Sequence, residues 1–250
     1  MPALRPLFTT NIIKTLQRGI SVNLIAQDGQ GRRRLLEDIK YAGLKNTRVV
    51  ILNMTNYRET YEKFIEILWN NCAIHGVIPK TLGELLKEVE NTIDYNIVLI
   101  LHHFDELLNN LNTDFNADFF DQLNDIKNYK KISLLCVTTE SHDQSVVCAK
   151  NQVNRYSWLD LDKKRLPKLT YDEIMVELKY RDLPLSAEEI SQVSRMTSSH
   201  VKPYSLLNFF VNKINIIQMD KDTLFHEKLK ILTEQFHLET KQANHKSYII

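Results

Sequence analysis

The sequence predicts an α/β protein, with a doubly wound, mostly parallel sheet in residues 1–165 and an all-helical subdomain in residues 166–250. Three observations carry this. Residues 96–101, Asn-Ile-Val-Leu-Ile-Leu, form an unbroken apolar run of the kind found where a strand is covered on both faces. Runs of this type alternate with segments of helical period, which is the pattern of βαβ crossovers. After Pro167 the strand pattern stops and only a 3.6-residue period remains.

Taken in order, Thr9, Thr10 and Asn11 precede Ile12, Ile13 and Leu16 in a short capped helix that closes at Gly19. Residues 21–26 read as a first strand. Residues 27–33 form a polar turn with two glycines, and Leu35, Leu36 and Ile39 recur at helical spacing up to Gly43. Residues 47–54 are a β-branched apolar run and so a second strand. A helix over 57–75 places Tyr61, Phe64, Ile65, Leu68 and Cys72 on one face, and another covers 81–89. Strands follow at 96–101, at 132–138 and, more faintly, at 157–161, with helical segments 104–111 and 118–128 between them. The C-terminal helices are predicted over 171–180, 187–196, 204–217 and 223–236, and the polar stretch 240–247 is expected to fray.

Composition narrows the functional classes. The 32 Lys and Arg balance 31 Asp and Glu, so no global field draws the chain to nucleic acid or an anionic membrane. Cys72, Cys136 and Cys148 are an odd number without a CxxC pair, which argues for reduced thiols rather than a disulfide framework or zinc cluster. No apolar run approaches the length of a spanning helix and the N-terminus lacks an apolar leader core, so a cytoplasmic protein without membrane insertion is expected.

The chemistry concentrates in Ala26-Gln27-Asp28-Gly29-Gln30-Gly31-Arg32-Arg33. A phosphate loop needs glycines where backbone amides turn inward, then Lys for the phosphates and Ser or Thr for Mg2+. Gly29 and Gly31 fit, as do the strand before and the helix after. Ala26, however, replaces the first glycine, Arg32 the lysine and Arg33 the hydroxyl. Arg32, Arg33 and Arg34 also crowd the positive end of a helix, which calls for a compensating anion. A bound phosphate, Asp28 with Glu37 and Asp38, or an acidic partner would supply it. The plain alternative is a strand-to-helix turn with a solvated arginine cluster.

At this motif the chain resembles the AAA+ and STAND group of P-loop ATPases. In that group the third strand ends in an acidic pair for magnesium and water. Here the frame is Ile97-Val98-Leu99-Ile100-Leu101-His102-His103-Phe104-Asp105-Glu106, so His102 and His103 occupy the acidic positions and Asp105 matches only an accessory acid. A rival register makes Asp105 and Glu106 the catalytic pair. Because adjacent strand residues point to opposite faces, His102 and His103 are not expected to share a metal ion, and no metal site is predicted.

The resemblance also places Thr138 or Thr139 at the position of a γ-phosphate sensor, ending the run Ile132-Ser133-Leu134-Leu135-Cys136-Val137. Leu166-Pro167-Lys168-Leu169-Thr170-Tyr171-Asp172-Glu173 is similar to the hinge into the family's helical lid. Ser199-His200-Val201-Lys202-Pro203-Tyr204 is similar to its Gly-x-Pro-Tyr turn, with Lys202 as a second-sensor candidate.

The resemblance implies nucleotide-loop residues Gln27, Asp28, Gly29, Gln30, Gly31, Arg32, Arg33 and Arg34, with ATP or ADP as the ligand. Arg33 argues against Mg2+. Losing the hydroxyl and both acids should cost orders of magnitude in rate, since phosphoryl transfer rests on positioned charge and metal. The leading expectation is therefore a degenerate, non-hydrolysing or nucleotide-locked subunit or adaptor, acting through protein partners in a homo- or hetero-oligomer. Two alternatives stay open. One is an active ATPase switch using Arg32, Asp105 and Glu106. The other is a DNA-associated regulator of a mobile-element or defence system, with a basic face of Arg32–Arg34, Lys127, Lys130 and Lys131.

Overall fold

The computed structural model describes residues 2–57, 60–107, 115–139, 145–149, 152–156, 161–219 and 223–247. Its chain divides into two compact units, one made of residues 6–27 and 36–166, the other of residues 1–5, 28–35 and 167–250.

The first unit is built on five parallel strands: β1 (Val22–Ile25), β2 (Thr47–Asn53), β3 (Asn96–His102), β4 (Ile132–Thr138) and β7 (Asp162–Arg165), in the order β2-β3-β4-β1-β7. The central strands are buried on both faces, as their apolar runs predict. Ile97, Leu99, Leu101, Leu134 and Cys136 face one way, into a core shared with α3 (Tyr61–Asn71), α4 (Leu82–Thr92) and α5 (Ala117–Asn124). Val98, Ile100, Leu135 and Val137 alternate onto the opposite face and are equally buried. On that side α1 (Pro6–Gln17) packs against β4. Helix α2 (Arg32–Lys40) begins right after the glycine turn and buries Leu36 and Ile39 in the same unit. Residues Tyr61, Phe64, Phe115 and Phe119 meet edge-on in every pair but Tyr61–Phe64, which is tilted at 36°, with ring centroids 5.0–6.2 Å apart, and they belong to the first core.

Several expectations need correction. The outer strand of the sheet is Asp162–Arg165, and the strand expected over 157–161 lies, but for Leu161, outside the described residues. A two-stranded antiparallel hairpin, β5 (Ser145–Ala149) with β6 (Gln152–Tyr156), was not anticipated. The helix expected over 104–111 is, as far as it is described, one 3-10 turn at Phe104–Leu107, and 118–128 divides into α5 and a 3-10 turn at Asp125–Asn128. Cys72 and Cys136 are free and buried. Burial pushes the Cys72 thiol up to about 12, against a lowering by Arg48, and raises Cys136 as well. The side chain of Cys148, on β5, falls outside the described residues.

The second unit gathers α6 (Tyr171–Tyr180), α7 (Ala187–Ser199), α8 (Pro203–Met219) and α9 (Phe225–Ser247) around Ile174, Leu178, Val193, Leu207, Phe210, Leu229 and Phe236. Helices α6 and α7 open with reciprocal caps, Thr170 with Glu173 and Ser186 with Glu189. The Leu-Thr-x-acidic pattern noted at the hinge is thus a helix start with a local physical cause. Helix α9 runs on through Ser247, so the stretch 240–247 is helical where a frayed tail was expected. Among the described residues no helix is long and apolar enough to cross a membrane.

Candidate functional site

The predicted site residues fall into two groups, one in each unit. In the second unit the glycine turn carries Gly29 at φ +79° and Gly31 at φ +84°, backbone values that only glycine adopts without strain. The Gly31 carbonyl accepts from Leu35 N at 3.1 Å and so starts α2. The arginine row behind it finds its anions within the protein. Arg32 Nη2 stands 2.8 Å from Asp28 Oδ1. Arg34 is 4% exposed; its Nη1 donates to Glu177 Oε1 at 2.8 Å and its Nη2 to the Pro2 carbonyl at 2.8 Å. Glu177 is only 2% exposed and also accepts from Arg181 Nε at 2.9 Å. Arg33 is exposed, and so is Gln27 at the mouth of the turn.

The space the glycines leave open is filled by the turn before α8. A Cβ on Gly29 would overlap Lys202 Cβ, and one on Gly31 would lie 2.8 Å from Tyr204 Cγ. The Gly29 carbonyl accepts from Tyr204 N at 2.9 Å and Ser205 N at 3.3 Å. These are amides that a helix start leaves without intrahelical partners, and Pro203 before them has none to offer. Gln30 completes the attachment: its Nε2 donates to the Val201 carbonyl at 2.9 Å, while its own carbonyl accepts from Arg5 Nη2 at 2.6 Å. Arg5, 1% exposed, also donates from Nε to the Pro167 carbonyl at 3.0 Å. Lys202 N donates to His200 Nδ1 at 3.0 Å, and burial, reinforced by the charges of His237 and Lys202, holds the His200 imidazole below its ordinary range. A concavity of about 470 Å³ beside the turn is lined by Asp28, Gly29, Lys202, Ser205, Asn208, Phe209 and Glu239, among others.

The other group lies on the carboxyl edge of the sheet. Strand β3 ends at His102, and His103 takes a left-handed φ of +56°. That reversal corrects the expectation that the two imidazoles point apart: their centroids are 4.0 Å apart at 39°. Among the described residues, no three or more His, Cys, Asp or Glu side chains are grouped closely enough to hold a metal ion. Asp105 and Glu106 lie in the 3-10 turn beyond the strand, and Asp105 Oδ2 accepts from Thr139 N at 2.9 Å. Thr138 is fully buried, with its hydroxyl donating to Asn23 Oδ1 on the neighbouring β1 at 3.1 Å. Lys131, offered as part of a basic face, instead sends its ammonium to the Glu90 and Ile93 carbonyls at the end of α4, each at 2.7 Å.

These residues do not fit a magnesium triphosphate. Arg32 and Arg34 are engaged by carboxylates, and Arg33 offers no oxygen to the metal. The space at the glycines is filled by Lys202 and Tyr204, and the concavity alongside presents the carboxylates of Asp28 and Glu239. Arg5, Glu177 and Asn23 are site residues that the sequence reading missed. For Glu177 a signal existed, because it shares the apolar face of α6 with Ile174 and Leu178, where a lone carboxylate requires a cation.

No protein-family profile matches the sequence, and no curated protein is similar enough in sequence to count as a match. Solved structures are similar in fold. A Walker-type ATPase of Pyrococcus abyssi superposes with a TM-score of 0.61 at 11% identity, covering 99% of this chain and 79% of that one. The Drosophila ORC bound to DNA gives 0.56 at 12%, covering 93% of this chain and 60% of that one. A Thermotoga maritima RuvB variant gives 0.50 at 12%, covering 91% and 67%. This chain therefore spans about 60% of the length of the ORC chain. The protein has the fold of the P-loop ATPases, an α/β core with helical elements.

Proposed function

We propose that this chain is a non-hydrolysing P-loop module that works as a subunit or adaptor in a larger assembly. The observation that supports it most is the packing of Lys202 and Tyr204 over Gly29 and Gly31, with the Gly29 carbonyl bonded to the start of α8. A phosphate loop acts through open glycines and inward amides. This one is joined to the chain's own helical unit. The reading of the sheet edge agrees: by the family resemblance His102 and His103 take the positions of the acidic pair for magnesium and water, and Asp105 Oδ2 accepts from the Thr139 amide. What such a fold retains is a set of rigid surfaces. The DNA carried by the ORC structure lends a nucleic-acid role less support, because Lys131 is spent on α4.

The test is phosphate release and binding of labelled ATP and ADP, with and without Mg2+, beside Arg32→Ala and Glu106→Gln variants. The expected result is no turnover under any condition. Steady hydrolysis that disappears in Glu106→Gln would reject the reading and restore an active ATPase built on the rival register.

A further inference from the structure

The segment that fills the glycine turn is itself held by a titratable side chain. His200 closes α7 in an extended conformation, φ −77° and ψ 153°, and its Nδ1 accepts from Lys202 N at 3.0 Å, the two-residue reach of an Asx turn. Lys202 supplies the Cβ that lies against Gly29, and the amides that follow, Tyr204 N and Ser205 N, donate to the Gly29 carbonyl. One imidazole nitrogen therefore fixes the first residue of the covering segment.

That bond dictates the state of the ring. An Nδ1 that accepts carries no hydrogen, so the neutral imidazole bears its proton on Nε2. The Nε2 atom is buried without a hydrogen-bond partner among the described residues. The ring lies beside Phe236 and His237 of α9, with centroids 5.4 and 5.1 Å away. A second proton would put a hydrogen on Nδ1 facing the Lys202 N–H, and both ring donors would then lack an acceptor in the closed turn. The charged and titratable groups that act on the ring are His237 on α9 and Lys202 in the turn, and each adds positive charge against an imidazolium.

We infer that His200 is a proton-operated latch: neutral, it holds the segment from Lys202 to Ser205 on the glycine turn, and protonated, it releases that segment and uncovers Gly29 and Gly31. The inference rests on the reading of the glycine turn as a closed contact and is indifferent to whether the chain hydrolyses nucleotide. The closed form binds the proton more weakly than the open one, so acid moves the equilibrium towards opening. With an ordinary imidazole value of about 6.5 in the open form, one pH unit below it limits the gain in opening to about tenfold.

Amide hydrogen exchange of the full chain at about pH 7.5 and about pH 5.5, expressed as protection factors so that the intrinsic pH dependence cancels, tests the latch. The Tyr204 and Ser205 amides should be protected at neutral pH and lose protection severalfold in acid, towards the tenfold limit, while Leu229 and Leu232 in α9 stay unchanged. His200→Asn keeps an oxygen that accepts from the amide two residues on and does not titrate, so its protection should be the same at both pH values. His200→Ala removes the acceptor and should weaken protection at both. His237→Gln should leave the acid response in place. Protection that survives acid in the wild type, a response retained in His200→Asn, or one lost in His237→Gln would overturn the latch alone. Tyr204 and Ser205 amides unprotected already at neutral pH would overturn the closed contact with it.

Discussion

Substituting Glu177 by alanine removes the anion between two guanidiniums in the helical unit. Arg34 and Glu177 are 4% and 2% exposed, so water cannot substitute for the lost carboxylate. Arg34 would keep the Pro2 carbonyl and Arg181 its bond to Asn208 Oδ1, but neither contact carries a negative charge. Breaking a buried pair by deleting one partner costs about 3–5 kcal/mol. For a chain of this size each kcal/mol moves the melting temperature by about 2–4 °C, so Glu177→Ala should melt roughly 6–20 °C lower. Glu177→Gln keeps the shape and one acceptor and should fall between. Replacing both buried partners, Arg34→Met with Glu177→Leu, removes the buried guanidinium along with its carboxylate and leaves only the more exposed Arg181, still bonded to Asn208, without its anion, so the double variant should lose clearly less than the sum of its single variants. Thermal melts by circular dichroism at neutral pH of the wild type and the five variants give these values. A Glu177→Ala protein melting within about 2 °C of wild type would show that Arg34 is not held by this pair, and the structural account of the arginine row would fail.

Three further outcomes follow from the same geometry. Gly29→Ala combines a left-handed backbone with overlap on Lys202 Cβ and should cost about 2 kcal/mol or more in urea titration; a neutral effect would mean the turn is not packed on α8. Asp105→Ala leaves the Thr139 amide without its acceptor, so stability should drop by about 1–3 kcal/mol and that amide should exchange faster with solvent; unchanged protection would contradict the bond. His200 accepts from Lys202 N through Nδ1, and its folded pKa is lowered from 6.5 chiefly by burial. The unfolded chain then binds the proton more readily, so this contribution is complete above about pH 6.5, shrinks as the pH falls below it, and levels off under the folded value. Melts from neutral to mildly acidic pH should show the drop in wild type and a flatter profile in His200→Gln; parallel profiles would remove His200 from the balance.

The strands legible in the sequence are those buried on both faces, because residues 97–101 and 132–138 have no solvent side to interrupt their apolar runs. Strand β7 escaped for the opposite reason. Among the described residues it pairs with β1 alone, and it reads Asp-Lys-Lys-Arg, a charged edge with no apolar period to detect. The continuation of α9 past Thr240 was obscured by its polar side chains. At the candidate site, the glycine spacing and the two histidines could be read directly. What surrounds them could not, because Gly29 meets Lys202 across 173 residues and no local pattern encodes that approach. The close approach of the two imidazoles depends on the left-handed turn at His103, a conformation that histidine side-chain chemistry alone does not announce.

Residues 2–5 make no strand or helix, yet they hold both sides of the glycine turn. The Pro2 carbonyl takes one amino group of Arg34, and Arg5 bridges the carbonyls of Gln30 and Pro167. Trimming the chain back to Pro6 would therefore act on the turn as a mutation within it does, by removing a buried guanidinium and a backbone acceptor together. A protease at the amino end, or a tag that displaces it, therefore acts on the glycine turn from more than twenty residues away in the chain.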